Sequence, residues 1–539
     1  MPPKRRAAAK KKTVTTSTAP APSSSPPPDE HESKKRKILE ALNKSSANEL
    51  PDVIEPDVKC SVGGVTVYID RENSTAYDVM LNQSNVDNNN NKFFILQILA
   101  PKTPAAGSTY YTWFRWGRVG YDGQHDLNSG TLQDMISTFE KKFKDKTGNS
   151  FADRVNFVKK AKKYDLIELN YSNDETIETA EGTKKKRVEV PSKLDDRVKS
   201  AIDLICDMSA MERQLKAMNF DSKKTPLGKL TKAQIQAGFK LLFEIEECLK
   251  NGDHSRLNEL TSAFYTKIPH NWGMKKPIVL DQPMLVQRAL ELLETLTEVQ
   301  IAAEAMKEED SAIEPKHPSD INYERLNCPL KPLDKDHKTY KLVEQYLTNT
   351  QGRTHHLHLK LLNVYEIDRP GESDVFKGDL ENQTLLWHGS RISNWFGILY
   401  KGLKIAPPEA PVTGYMFGKG VYFADCVSKS ANYCNAYHKE HCFMTLAQVA
   451  LGNMRPLKES DYNASDLPEG FHSTLGVGRQ YPNEKNTKTL QFGDGHKVKV
   501  PCGKLIERED KECCLEYNEY IVYDTSQIRL RFLLEIEFS

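Results

Sequence analysis

The last long run of the chain, Ile528–Phe538 (IRLRFLLEIEF), decides how its final section folds. Ile528, Leu530, Phe532, Leu534, Ile536 and Phe538 fall on alternate positions, with Arg529, Arg531, Glu535 and Glu537 between them. That two-residue period is a β-strand with one apolar face, and Leu533 breaks it as residues of buried strands do. Upstream, residues 320–539 are rich in glycine, tyrosine and short apolar runs, which predicts a mixed α/β domain built on antiparallel sheets. Residues 193–310 read as helices. Val198, Ile202, Ile205 and Met208 share a helical face, Thr231 is placed to cap a second helix, and Phe239, Leu242, Phe243 and residues 245–249 continue that helix. Leu290, Leu293, Leu296 and Ile301 form a further seam. This region shows no nucleophile constellation and is expected to pack against something else.

Residues 169–192 turn acidic, then basic at Lys184, Lys185, Lys186 and Arg187, and reach Pro191; they read as a linker. Residues 58–168 predict a small sheet crossed by one helix. Its strands are 65–69, 92–99 (KFFILQIL) and 111–119 (YTWFRWGRV), with a turn at 120–124 and a helix seam at Met135, Phe139 and Phe143. Residues 1–57 read as a disordered basic tail. Lys4, Arg5, Arg6, Lys10, Lys11 and Lys12 form one cluster in it, and Lys34, Lys35, Arg36 and Lys37 another. Such clusters serve nuclear import, nucleic-acid phosphate, or neither.

A chain of 539 residues exceeds one hydrophobic core, and about three or four domains are expected. The net charge of +1 hides an asymmetry, because residues 1–50 hold eleven Lys/Arg against five Asp/Glu, an excess of six. No apolar run approaches the roughly 18 residues of a membrane span, and no secretory leader follows the basic start. Ten cysteines in this length read as reduced, mostly buried thiols of an intracellular protein. Cys434, His438, His441 and Cys442 match no standard zinc spacing, so no metal is expected. The glycine fingerprints of Rossmann and Walker phosphate sites are absent.

Chemistry concentrates in three short stretches. Residues 385–390 (LLWHGS) run a strand into His388, Gly389 and Ser390. Glycine there admits a flat amide to its backbone, and His388 is placed to donate to a ribose hydroxyl. Residues 414–425 (GYMFGKGVYFAD) suit a loop folded round a planar ligand, followed by a strand at 421–423. In residues 428–433 (SKSANY), Ser430 and Tyr433 lie three apart on a helix and offer a hydroxyl and a stacking ring, with Tyr422 as the opposite ring. Glu519, in YNEYIVY, precedes an apolar strand. In a pocket it would bond a ribose 2′-hydroxyl and stabilise charge developing on the sugar as nicotinamide leaves.

These motifs resemble the diphtheria-toxin-like poly(ADP-ribose) polymerases, and the resemblance extends over about residues 58–539. It is closest to the short, DNA-damage-dependent nuclear members. The resemblance implies NAD consumed as substrate, with His388, Tyr422 and Glu519 as the family's His-Tyr-Glu signature. Gly389 and Ser430 would hold the nicotinamide carboxamide. Tyr433 would stack on the nicotinamide ring, with Ser390 and Tyr415 also at the NAD site. Lys429 would assist near the acceptor, and Met416 and Tyr517 would line the acceptor side. Lys404 stands where relatives usually carry arginine near the adenine ribose; it keeps the charge and loses the fork.

By the same resemblance residues 58–168 are a WGR domain, named for Trp116, Gly117 and Arg118, that senses a broken or nicked DNA end carrying a 5′-phosphate. Trp116 would pack on a terminal sugar, and Arg118 would bridge to the neighbouring domains. Lys141, Lys142, Lys144 and Lys146 are phosphate candidates or a solvated helix face. The 193–310 region resembles the family's autoinhibitory helical domain, including 226–230 (PLGKL) and 265–270 (YTKIPH). Glu291, Glu294 and Glu298 would either face the pocket or be solvated. The chain stops at Ser539, short of the Leu-Trp tail of vertebrate relatives that helps dock a serine-specificity factor. That leaves the accessory partner in doubt, and the shorter end suits an invertebrate source. The expected activity is DNA-break-activated poly-ADP-ribosylation in the nucleus, of the protein itself and of chromatin or repair proteins. A break-dependent mono-transferase and a silent break-binding scaffold are the competing readings.

Overall fold

The structure, a computed structural model, describes residues 50–105, 107–167, 169, 190–220, 230–306, 316–435, 440–510 and 512–538. The two N-terminal basic clusters, the basic run at 184–187, most of 226–230 and His438 lie outside the described residues.

The aromatic strands Asn90–Pro101 and Tyr110–Arg118 pair antiparallel at the heart of the first domain. The sheet runs in the order Gln124–Gly130, Tyr110–Arg118, Asn90–Pro101, Asp78–Asn85, Asp165–Ile167, with Val65–Val67 also on the Asn90–Pro101 strand. Helix Leu132–Thr147 crosses it, burying Met135, Phe139 and Phe143 against Phe94 and Phe114 as their spacing predicts. Thr131 caps its start and Gly148, at φ 75°, ends it in the left-handed region that glycine tolerates best. Three strands of this sheet go unpredicted, the shortest being Asp165–Ile167. Gln124–Gly130 is polar and exposed, and Asp78–Asn85 carries buried Asn82 and Ser84, so neither shows an apolar alternation. Residues 50–57, read as part of the tail, pack on this domain instead. Ile54 is buried and its carbonyl accepts from Val67 N, and the buried Asp57 carboxylate pairs with Arg115 at 2.8 Å. One fully buried apolar residue and one buried charge partner, in a short stretch broken by two prolines, leave no periodic signal.

In the helical region Val198, Ile202 and Ile205 are buried along Asp196–Ile205, but the chain breaks before Met208. Asp207 caps a new helix, Met208–Ala217, by accepting from Ala210 N, so Met208 does not continue the first face. Thr231 caps Lys232–Lys250 through Gln234 N at 3.2 Å, as expected, whereas Phe243 on that helix is exposed. Pro283–Ala305 buries residues nearly all round, including Leu290, Leu293 and Leu296. It can do so because it is covered on one side by Lys232–Lys250 and on another by the C-terminal domain.

The C-terminal domain is built on a seven-stranded sheet. Its order is Lys488–Gln491, Lys497–Val500, Gln383–Gly389, His441–Ala450, Ile528–Phe538, Leu359–Ile367, Leu330–Pro332. Ile528–Phe538 lies between two antiparallel neighbours and is buried on both sides, Arg531 and Glu535 included. The single apolar face expected for it is interrupted. The register against His441–Ala450 shifts between Leu446 and Ala447, which leaves Arg531 as the extra residue of a bulge. Ile528 and Leu530 therefore join the core that holds Leu533, while Phe532, Leu534, Ile536 and Phe538 pack into the other. A second sheet pairs Val421–Phe423 with Glu519–Val522 and so brings two of the motif stretches together.

Candidate active site

Strand Gln383–Gly389 carries His388 and Gly389 to the sheet edge nearest the Val421–Phe423 strand, which it meets through the Trp387–Ala424 bridge. His388 Nδ1 lies 2.9 Å from the Tyr422 carbonyl. A carbonyl only accepts, so Nδ1 holds the proton, and burial lowers the imidazole pKa and keeps the ring neutral. Nε2 is then left as an acceptor, so in this tautomer His388 is set to receive a bond from a hydroxyl, where donation was expected. At Gly389 a Cβ would stand 2.1 Å from the Ser430 carbonyl, so only glycine fits. The Ser430 hydroxyl donates to the Trp387 carbonyl at 3.0 Å and must rotate to serve a carboxamide oxygen. Ser390 is occupied by its own turn: its hydroxyl accepts from Asn394 Nδ2 (2.9 Å) and its carbonyl from Trp395 Nε1 (3.2 Å).

The Tyr422 hydroxyl accepts from Phe417 N (2.9 Å) and donates to the Gly418 carbonyl (2.8 Å), so it clamps the glycine-rich loop as well as presenting a ring. Tyr415 packs tilted against it, with centroids 6.1 Å apart. Tyr433 follows helix Val427–Ala431, in a 3-10 turn, and the residue is 58% exposed. Lys429 Nζ bonds Glu519 Oε1 and the Tyr517 carbonyl, both at 2.9 Å. Glu519 is 8% exposed, and its second oxygen, Oε2, is buried with no hydrogen-bond partner. A buried unpaired carboxylate oxygen is costly and marks a place for a hydroxyl donor. Met416 is partly buried against Phe417. Tyr517 does not line an open acceptor surface: its ring is buried against His355 and its hydroxyl pairs with Thr354. It serves Lys429 through its backbone.

Helix Pro283–Ala305 reaches the same residues. Glu291 pairs with Arg391 at 2.7 Å, Glu294 accepts from the Tyr415 hydroxyl, and Glu298 pairs with Lys404 at 3.2 Å. Spacings of three and four put all three carboxylates on one helix face. A Cβ on Gly397 would strike Glu298 Oε2, so that glycine lets the helix come close. Burial, with Glu291 and Glu298 nearby, pushes the Glu294 carboxyl up to about 7. From helix Lys232–Lys250, buried Glu246 accepts from Val412 N (2.9 Å) and from Thr413 N and Oγ1 (both 2.5 Å), gripping the start of the glycine-rich loop. Arg391 and Glu246 escape a reading by motif, for each matters through a partner 100 or more residues away.

In the first domain Trp116 stacks on Phe94 at 5.5 Å and 11° and stays partly exposed. Arg118 reaches out of the domain: Nε bonds the Gly273 carbonyl and Nη2 the Lys275 carbonyl (2.8 Å), while Asn89 takes further bonds. Lys142 and Lys146 lie over the Phe114 and Phe94 rings at 5.4 and 5.3 Å, whereas Lys141 and Lys144 are exposed. Among the described residues no group of three or more His, Cys, Asp or Glu is arranged to hold a metal. No described helix is long and apolar enough to cross a membrane.

The two-sheet fold, the neutral histidine beside the glycine and the lysine-held glutamate define a class, the ADP-ribosyltransferases that use NAD. Three family profiles match in succession: WGR domain at 77–158, the regulatory domain of poly(ADP-ribose) polymerase at 192–323, and its catalytic domain at 337–538. The chain belongs to the poly(ADP-ribose) polymerase family. It is 42% identical over 497 residues to poly [ADP-ribose] polymerase 2 of Homo sapiens, spanning 90% of this chain and 83% of the human protein. The protein of the same name in Zea mays is 40% identical over 94% of this chain and 76% of its own length. That of Arabidopsis thaliana is 41% identical over 86% and 73%.

Proposed function

We propose that this chain is a DNA-break-activated poly-ADP-ribosyltransferase of the nucleus, modifying itself and chromatin or repair proteins. The observation that carries the reading is the unpaired, buried Oε2 of Glu519, with Oε1 held by Lys429. NAD supplies the ribose–nicotinamide bond that is broken. Gly389 and Ser430 hold the carboxamide, the Tyr433 ring and Tyr422 enclose the nicotinamide, and neutral His388 accepts from a ribose hydroxyl. Glu519 Oε2 accepts from the 2′-hydroxyl of the nicotinamide ribose, and its charge stabilises the positive charge that grows on the sugar. The same carboxylate orients the acceptor hydroxyl during elongation, with Lys429 beside it. Lys404 meets the adenosine side.

Glu291, Glu294 and Glu298 occupy Arg391, Tyr415 and Lys404, so the helical domain in this position competes with NAD. We infer that a broken DNA end, met by Trp116 and by exposed Lys141 and Lys144 with Lys142, loosens it through Arg118. The basic clusters of residues 1–57 support nuclear import and added DNA affinity. The test is incorporation of labelled NAD, resolved by product length, with and without a nicked duplex bearing a 5′-phosphate. Long products that need the nick and fall about 1,000-fold in Glu519→Gln are expected. Single-unit products would make it a mono-transferase, and no products with intact DNA binding a scaffold.

A further inference from the structure

Behind Glu519 lies a buried acid. Asp425 is 2% exposed, and its Oδ2 accepts from Asn518 Nδ2 at 2.8 Å and from the Tyr520 hydroxyl at 2.9 Å. Asn518 and Tyr520 are the two chain neighbours of Glu519. One carboxylate oxygen of Asp425 therefore grips the chain on both sides of Glu519. Asn518 Oδ1 in turn accepts from Gly478 N at 2.9 Å, tying the same point to the neighbouring loop. Asp425 Oδ1 has no partner, and the ammonium of Lys429, which binds Glu519 on the other side, favours the Asp425 charge. Burial raises the Asp425 carboxyl to about 6, so it remains mostly ionised at neutral pH.

We propose that Asp425 is a positioning residue for the transferase reaction: through Asn518 and Tyr520 it fixes the backbone that aims Glu519 Oε2. The inference rests on the reading of Glu519 as the catalytic carboxylate. It adds that the glutamate depends on a charge it does not touch. Asparagine at 425 keeps an oxygen for Asn518 and Tyr520 but removes the charge, whereas alanine removes both.

The test compares Asp425→Asn, Asp425→Ala and Glu519→Gln in the full chain with nicked duplex, measuring kcat, KM for NAD, and affinity for benzamide. Benzamide needs only the amide subsite at Gly389 and Ser430. Expected are kcat losses of about tenfold for asparagine and about 100-fold for alanine, with KM and benzamide affinity within about twofold. A kcat within about twofold of the parent in both variants overturns the proposal, as does benzamide affinity falling in step with kcat, which marks a collapsed pocket. If the alanine variant shows no melting transition, the asparagine variant alone decides by the same criteria. A Glu519→Gln protein that keeps its kcat overturns the underlying reading of Glu519 instead, whatever Asp425 does.

Discussion

The helical domain presents two unlike faces to its neighbours. Toward the first domain the contacts are mostly neutral and tie side chains to backbone. Asn82 Nδ2 donates to the Tyr265 and Thr266 carbonyls (3.1 and 3.0 Å), and Asn91 Nδ2 to that of His270 (2.7 Å). Ser84 N and Val86 N donate to the hydroxyls of Thr266 and Ser262. Around the candidate site the contacts toward the catalytic domain are carboxylates, Glu246, Glu291, Glu294 and Glu298, while farther off Arg197 meets Asp334 and Tyr365. Buried neutral hydrogen bonds are little affected by salt or pH and transmit movement rigidly. Buried carboxylates pay desolvation and hold only while their partners stay in place. One face is suited to staying attached and the other to letting go.

The sharpest way to break this contrast is Arg118→Ala, which cuts a charged link on this mostly neutral face and leaves the Lys267–Asp165 pair (3.1 Å) in place. The DNA-stimulated rate should fall about 100-fold while the DNA-free rate stays unchanged, read by NAD turnover with and without nicked duplex. A retained stimulation would mean that the signal crosses through Asn82 and Asn91 instead. Next in size is the releasing face. Replacing Glu291, Glu294 and Glu298 together by glutamine should raise the DNA-free rate about tenfold and leave the DNA-saturated rate nearly constant. The smallest effect is on pH. Glu294 is raised from its ordinary 4.5 to about 7 when the helix is docked, facing Tyr415 and Arg391 across the interface and Glu291 and Glu298 on its own helix. Docking therefore favours the protonated form and weakens as pH rises through that interval, so the DNA-free rate should climb about threefold between about pH 5 and 7 and level off above it. Glu294→Gln should flatten the climb, and a parent profile already flat would remove Glu294 as the sensitive group.

Much of this was legible in the chain itself. Met135, Phe139 and Phe143 announced their helix, Thr231 its cap, and the 385–390, 414–425 and 428–433 stretches converge with Glu519 on one site. The failures share a cause. Arg531 as a bulge residue, Asp57 as the partner of Arg115, and Tyr517 as a buried backbone acceptor each depend on what lies opposite, and periodicity carries no information about that. For His388 the expected donor role is reversed, because its proton is set by the Tyr422 carbonyl.

Local spacing and residue type, then, placed most helices, strands and caps, and the motif resemblance named the candidate site residues, since apolar period and a glycine flanked by polar groups act over a few residues. Only the tertiary structure decided which oxygen of Glu519 is free, which acid stands behind it, and which three glutamates reach Arg391, Tyr415 and Lys404. Those facts depend on desolvation and on partners distant in sequence, and both exist only once the chain has folded.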